Sequence, residues 1–234
     1  MRRPRMILFD YGQTLIAEQA FDGIKGTAAV MEHAVSNRYG YTPEQVQAEA
    51  EKINRETGRF TSITEIHNRV FNNYLYESMG IKIDLAPEEY DRIFWDAASP
   101  CKVTEGIEVF LEYLWEKGIR TAVVSNIGYS GAALEDRIVR MLPGNHFEFI
   151  IATSEYLFRK PCKRIFDLAL EKADLKAEDI WFAGDNPVCD IDGARGAGMT
   201  PIWYKAALLQ ETEDRDDVIK ITHWNELRDL IEGL

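Results

Sequence analysis

The sequence predicts an α/β protein: a doubly wound parallel sheet whose core is interrupted, after its first strand, by a helical insertion. Three observations carry that prediction. Short runs apolar at nearly every position recur at Met6–Phe9, 119–124, 149–152, 180–183 and 201–204, as expected of parallel strands covered on both faces. Amphipathic helical patterns separate the later runs, which implies right-handed βαβ units. Between residues 16 and 99 the strand signal gives way to helical spacing. The core is therefore assigned to residues 1–15 and 100–234, and residues 16–99 to an inserted helical lid.

Met1-Arg2-Arg3-Pro4-Arg5 reads as a solvated tail leading into the first strand. That strand, Met6-Ile7-Leu8-Phe9, ends on Asp10, with Gly12 and Thr14 in the loop that follows. Ligands of open α/β sheets sit at the carboxyl ends of the strands, and a carboxylate there can act as a nucleophile. Within the insertion, Val46, Ala50 and Ile53 share one helix face. So do Ile63, Ile66, Val70 and Tyr74. Thr42-Pro43 is a helix start, with Thr42 as N-cap and Pro43 at the first helical position. Thr61-Ser62 and Pro87-Glu88-Glu89 read as further starts. His33 and His67 lack a metal-ligand partner at i+4 and are read as core or surface histidines.

The alternating pattern resumes at Pro100. Ile107, Phe110, Leu111, Leu114 and Trp115 form an apolar helix face closed by Gly118. The strand at 119–124 stops at Ser125-Asn126, and the strand at 149–152 is followed by Thr153-Ser154-Glu155. After Lys160-Pro161 a helix carries Ile165, Phe166, Ala169 and Leu170 on one face. The strand at 180–183 ends in Gly184-Asp185-Asn186. A last helix carries Trp224, Leu227, Leu230, Ile231 and Leu234.

A net charge of −12 opposes binding to nucleic acid or anionic membrane. Three cysteines, an odd number with no CxxC spacing, fit reduced thiols better than a disulfide framework. No apolar run reaches the length of a membrane span. A soluble, cytoplasmic protein is expected.

Asp10, Ser125, Lys160 and Asp185 all stand at strand ends or helix starts that converge on one crevice. They supply a nucleophilic carboxylate, a hydroxyl, a cation and a second carboxylate. Asp190 follows at the expected start of the next helix, with Asp192 beyond it. Carboxylates gathered this closely repel one another unless a cation neutralises them, which makes Mg²⁺ the natural guest. The Gly12 carbonyl is a further candidate oxygen ligand.

Four blocks then resemble the signature of the haloacid dehalogenase-like hydrolase superfamily, in the branch with a helical cap inserted after the first strand. They are Phe-Asp10-Tyr-Gly-Gln-Thr14-Leu, Val-Val-Ser125-Asn126, Arg-Lys160-Pro161 with Ile165-Phe166, and Gly184-Asp185-Asn186-Pro-Val-Cys-Asp190-Ile-Asp-Gly193-Ala194 with Ala197-Gly198-Met199. Their order and spacing match the family from residue 6 to 199. The resemblance implies a Rossmann-like core and a phosphatase acting on a small phosphorylated metabolite. Asp10 would attack the phosphoryl group to give an aspartyl-phosphate that water hydrolyses. Asp10, the Gly12 carbonyl and Asp185 would hold Mg²⁺. Ser125, Asn126 and neighbouring backbone N–H groups would hold phosphate oxygens, and Thr14 would orient the first loop. Lys160 would neutralise charge, and Asp190 would fix Lys160 or a metal-bound water.

One departure stands out. The family's phosphatases usually carry an aspartate two residues after the nucleophile, which protonates the leaving alkoxide and then activates water; here that residue is Gly12. Such general acid–base help contributes roughly 10²–10⁴ in rate. Gln13 cannot act as an acid, and strand alternation would turn it away from the site. A lid residue such as Glu18 is a candidate substitute. Gly12 also admits a metal-independent 2-haloacid dehalogenase, whose leaving halide needs no proton, although Asp185 in its Gly-Asp-Asn block favours a metal and phosphate. A phosphonate-cleaving relative would need a lid lysine, for which Lys25 and Lys52 are available. A regulatory protein that binds phosphate but turns over poorly is a further alternative.

Overall fold

Strand β1 (Met6–Phe9) lies at the middle of the molecule, with each of its four side chains fully buried. The computed structural model describes residues 2–207 and 215–234. After β1 come β2 (Ile16–Glu18), α1 (Gly23–Met31), β3 (Ala34–Asn37), α2 (Pro43–Glu56), α3 (Asn68–Ser78), β4 (Ile81–Ile83), α4 (Pro87–Ala98) and β5 (Cys101–Val103). The remainder alternates: α5 (Ile107–Glu116), β6 (Arg120–Ser125), α6 (Gly131–Met141), β7 (Phe147–Ala152), α7 (Lys163–Ala173), β8 (Ile180–Gly184), α8 (Gly193–Gly196), β9 (Thr200–Tyr204), β10 (Ile219–Ile221) and α9 (Trp224–Glu232).

Six strands pair in the order β10-β9-β8-β1-β6-β7, and every pairing is parallel. The fold is therefore the α/β class the sequence predicts. The period-2 alternation of a strand divides β1 between two cores. Ile7 and Phe9 pack with α5, α6 and α9, while Met6 and Leu8 pack with α7 and α8. The chain leaves β1 towards β6 and β7, then crosses back to β8, so the switch in strand order falls at the carboxyl end of β1, where such sheets form a crevice.

The helices α1 to α4 bury Val30, Val46, Ala50, Ile53, Phe71, Leu75 and Tyr90 against one another, in a third core. The chain enters and leaves this region through β2 and β5, which pair antiparallel. Thr42 caps α2 in a full capping box, with Pro43 at its first turn. Pro87 opens α4 behind Ala86. Gly118, just past α5, has φ +67°, the left-handed conformation that glycine adopts freely.

Several local expectations are corrected. The insertion is not wholly helical: β3 and β4 form an antiparallel pair, too short to give an alternating signal. The residues at 61–62 do not start a helix. They follow a turn in which the amides of Thr61 and Ser62 donate to the Gly58 carbonyl. Helix α3 begins at Asn68 and buries Phe71, Leu75 and Tyr76, leaving Ile63, Val70 and Tyr74 more than half exposed. The apolar residues of this stretch fit two faces one residue apart, and packing selects the aromatic one. Trp115 is likewise outside the core and stacks on His146, with ring centroids 4.0 Å apart. The sequence pattern singles out neither β10, which has three residues, nor α6, whose buried face contains Arg137 among apolar residues. Of the N-terminal tail, Met1 lies outside the described residues. Pro4 is buried, and Arg2 pairs with Glu178 at 2.8 Å, so the tail is anchored as well as solvated.

Candidate active site

Pairing register places the candidate residues level with one another. Phe9 is opposite Val123 and Ala183, so Asp10 falls beside the last residues of β6 and β8. The Asp10 amide donates to the Ala183 carbonyl at 2.9 Å. Ser125 ends β6 and is buried, and Asp185 follows β8 directly. Asp10, Ser125, Asn126, Lys160, Asp185 and Asp190 all line one cavity of about 350 Å³, together with Gly12.

Lys160 is the centre of charge in this cavity. Its buried Nζ donates to Asp10 Oδ1 at 2.7 Å and to Asp190 Oδ1 at 2.6 Å. Both attractions hold the lysine above its ordinary pKa against the opposing effect of burial, which is the largest single influence on it. The main chain of Lys160 is fixed by Asn126, whose amide nitrogen donates to the Lys160 carbonyl at 2.8 Å and whose Oδ1 accepts from its N–H at 2.7 Å. The carboxamide of Asn126 is thus turned to the lysine, a positioning role that its expected assignment to phosphate does not describe. The Lys160–Pro161 peptide is cis.

Asp190 sits in a π-helical turn at Pro187–Asp192, and its Oδ2 accepts from the Asn186 amide at 2.9 Å. With Lys160 on the other oxygen, both ends of this carboxylate are held. Gly184 makes room for it, since a Cβ there would lie 2.4 Å from Asp190 Cγ. Asp192 points elsewhere and pairs with Arg215 and Arg195 at the surface.

Asp185 has no such partner among the described residues. Burial, then the charges of Asp10 and Asp190, raise its pKa far above the ordinary carboxylate range. Burial also raises Asp10, outweighing the lysine beside it. Oxygens of Asp10, Asp185 and Asp190 lie within 4.8 Å of one another. Three carboxylates share one lysine, so the donor set is hard oxygen with an excess of negative charge. This is the chemistry that a small divalent cation satisfies.

The loop after Asp10 differs from expectation in two places. Gln13 takes φ +55°, is among the residues lining the cavity, and its amide nitrogen donates to the Glu18 carbonyl at 3.0 Å; strand alternation ends at Phe9 and does not orient it. Thr14 is fully buried, and its Oγ1 has no hydrogen-bond partner among the described residues. Its carbonyl accepts from Thr104 Oγ1 at 2.8 Å, which braces the loop and gives no contact with the cavity. Gly12 has no left-handed φ, and a Cβ there would meet only Glu18 Oε2, at 3.5 Å. A side chain would therefore fit the backbone at this position.

The rest of the cavity wall comes from Glu18 on β2, which the sequence offers as a substitute acid, and from Phe21, Trp95 on α4 and Tyr129, which the sequence did not connect to the site. Trp95 and Tyr129 stack with centroids 4.3 Å apart. Behind them lies Arg137, 2% exposed, donating to Tyr11 Oη at 2.9 Å, Asp96 Oδ1 at 2.5 Å and the Ser99 carbonyl. Its guanidinium lies 4.5 Å from the centre of the Trp95 ring and 3.6 Å from Glu18 Oε1. Glu18 Oε1 also accepts from Trp95 Nε1 at 2.8 Å, and burial raises the carboxyl's pKa despite the arginine. A buried arginine in a helix leaves only an interrupted apolar pattern, so sequence periodicity carries no sign of this arrangement.

Lys25 and Lys52 lie outside the cavity wall and pair at the surface with Asp22 and Glu49. The three cysteines are free thiols, and no helix among the described residues is long and apolar enough to cross a membrane.

Comparison with known proteins follows the same lines. A family model described as haloacid dehalogenase-like hydrolase matches residues 4–198. Pyrimidine 5'-nucleotidase YjjG of Escherichia coli is 24% identical over 96% of both chains. Phosphoserine phosphatase of Thermus thermophilus is 28% identical over 65% of this chain and 60% of its own. Haloacid dehalogenase-like hydrolase domain-containing protein 3 of Mus musculus is 29% identical, and the match spans 59% of that relative's length. Among solved structures, a 2-haloacid dehalogenase from Pseudomonas syringae pv. Tomato aligns with a TM-score of 0.70 at 22% identity, covering 98% of this chain and 99% of the other. A phosphatase from Thermococcus onnurineus aligns at 0.67 and 19% identity, covering 97% and 98%. At such identities the structural likeness speaks for the fold.

Proposed function

The chain belongs to the haloacid dehalogenase-like hydrolase family, and we propose that it is a Mg²⁺-dependent phosphatase of small phosphorylated metabolites that works through an aspartyl-phosphate on Asp10. One observation carries this reading: Asp10 stands at the switch point, paired to Lys160, beside an Asp185 whose carboxylate forms no ion pair among the described residues. Asp10, the Gly12 carbonyl and Asp185 would hold Mg²⁺, with the two oxygens of Asp190 already engaged. The ion would supply Lewis-acid stabilisation of charge at the phosphoryl group.

The residues of the chain do the rest. Lys160 holds Asp10 in place for attack on phosphorus and offsets the anionic charge that builds up in transfer. Ser125 and the backbone amides after β6 offer hydrogen bonds to phosphoryl oxygens. Asn126 and Asp190 fix Lys160 at its backbone and at its Nζ, so a 1 Å drift of the ammonium is prevented from both ends. The aromatic wall of Trp95 and Tyr129 excludes water and bounds the space for the leaving group.

A phosphate-release screen over a metabolite panel, with and without Mg²⁺, tests the proposal beside Asp10→Asn. Release that requires Mg²⁺ and disappears in Asp10→Asn is expected. Gly12 favours one rival, a 2-haloacid dehalogenase. Metal-independent chloride release from a 2-chloroacid, with no phosphate from any ester, would establish that rival instead. The solvated, paired positions of Lys25 and Lys52 give no support to a phosphonate-cleaving mechanism.

A further inference from the structure

Cleaving an alkyl phosphate makes opposite proton demands in its two halves. A proton must reach the leaving alkoxide, and one must then leave the water that attacks the phosphorylated enzyme. The side chains of the motif residues are already committed. Asp10 is the nucleophile, Asp185 belongs to the uncompensated carboxylate cluster, both oxygens of Asp190 are held, and Lys160 bridges two carboxylates. Position 12 has no side chain at all.

We propose that Glu18, reaching from β2 into the space a side chain on Gly12 would occupy, is the general acid and base of this enzyme. Its Oε1 is anchored by Trp95 Nε1 at 2.8 Å. Its Oε2 accepts no hydrogen bond from the described residues and stands 3.5 Å from the point where a Cβ on Gly12 would be, and both residues line the cavity. One oxygen is fixed and the other presented, which is the arrangement a proton-transfer group needs. In the first half, an Asp10 oxygen bonds to phosphorus, the bond from phosphorus to the ester oxygen breaks, and the Glu18 proton passes to that oxygen, releasing the alcohol. In the second, the Glu18 carboxylate takes a proton from water as the water oxygen bonds to phosphorus and the Asp10–phosphorus bond breaks. Phosphate leaves, and both carboxyl groups return to their starting states.

This assignment rests on the phosphatase reading, and the experiment separates the two. Wild type, Glu18→Gln and the double variant Gly12→Asp/Glu18→Gln are compared with Mg²⁺, on p-nitrophenyl phosphate and on the fastest alkyl phosphate of the panel. Steady-state phosphate release and the single-turnover burst of nitrophenol are both followed. Glu18→Gln keeps an acceptor for Trp95, and it should lose about 10²–10⁴-fold on the alkyl ester. It should retain a burst of about one equivalent, because nitrophenolate leaves without a proton. The double variant places a carboxyl in the same gap from the other side and should recover at least about tenfold over Glu18→Gln. A Glu18→Gln rate within about threefold of wild type overturns the proposal, as does loss of the burst in step with turnover, or no recovery in the double variant. Should Glu18→Gln fail to fold, Glu18→Asp decides: it keeps the charge facing Arg137 but withdraws the oxygen by one methylene, and an unchanged rate on the alkyl ester overturns the assignment. A wild type that releases phosphate from neither ester defeats the phosphatase reading, and this proposal with it.

Discussion

Two buried cations, Lys160 and Arg137, stand one in the cavity wall and one behind it, each 2% exposed and each between two carboxylates. Their surroundings differ in one respect. The Lys160 side chain meets Asp10, Asp190 and the Phe182 ring, all of the parallel sheet and its loops, whereas Arg137 on α6 reaches Asp96 on α4, Ser99, Tyr11 and the ring of Trp95. The first cation organises the floor where phosphorus would sit. The second ties the helical insertion to the loop that follows the nucleophile. Placing a charge within bonding distance of a reacting carboxylate commits it to chemistry, and placing one across a seam commits it to holding two bodies together.

Substitution at the floor should give the larger effect on activity. In Lys160→Met the nucleophile loses its counter-charge, and Asp10 and Asp190 face each other without a cation. Phosphate release should fall by about 10²–10³-fold, the cost typical of losing one preorganised charge partner. Breaking a buried pair also destabilises, by about 3 kcal/mol, readable as a lower Tm. Full activity in Lys160→Met would end the distinction between the two cations.

Arg137→Met is the converse. Its loss leaves Glu18 with Trp95 alone, while Asp96, 37% exposed, keeps Arg140 at 3.2 Å and can rehydrate. Stability should fall by about 3 kcal/mol, a Tm drop on the order of 10 °C for a chain of this size. Activity should decline less than in Lys160→Met. A Tm unchanged within error would show that the seam holds without its arginine.

The two cations also mark how far the sequence could be read. Asp10 and Asp185 were legible because each closes a continuous apolar run, and Lys160 and Asp190 because each stands beside the start of a following helix. Gly184 before Asp185 is a further signal, since only glycine leaves space for the Asp190 carboxylate. Trp95 meets Tyr129 and Arg137 from 34 and 42 residues away in the chain (129 − 95 and 137 − 95), through packing of the insertion onto the core. No spacing rule connects them. Asn126 was found by its place after β6, but its work on the Lys160 backbone depends on side-chain direction, which sequence does not carry.

Asp185 provides a finer measure of the floor. Without a divalent ion its carboxylate adds repulsion to Asp10 and Asp190 in a buried setting, so Asp185→Asn should raise the Tm of the metal-free protein by a few degrees (about 1 kcal/mol). With Mg²⁺ at a hundred times its dissociation constant, wild type should gain about 2.7 kcal/mol, and the variant should gain little. Calorimetry or a thermal melt with and without Mg²⁺ reads both signs together. A variant stabilised by Mg²⁺ as strongly as wild type would remove Asp185 from the ion's ligands.

The smallest effect is expected inside the insertion, where sequence periodicity and packing disagree about α3. Val70 and Tyr74 follow helical spacing but are 62% and 63% exposed, while Phe71 and Leu75, one position on, are 9% and 3% exposed. Val70→Ser and Tyr74→Ser should therefore stay within about 0.5 kcal/mol of wild type. Phe71→Ala, which empties part of the insertion's core and removes the ring beside the Arg59 guanidinium, should cost about 3 kcal/mol. The difference arises from a rotation of α3 by one residue, about 100° about its axis. Because the insertion has its own core, the loss at Phe71 should appear first in the melting of α1 to α4, with the Lys160 floor kept. Chemical-denaturation curves followed by far-ultraviolet circular dichroism and by Mg²⁺-dependent phosphate release would then part company. If Val70→Ser proved as damaging as Phe71→Ala, α3 would be packed by the face that sequence periodicity favours. The seam around Arg137 would then rest on a differently oriented insertion.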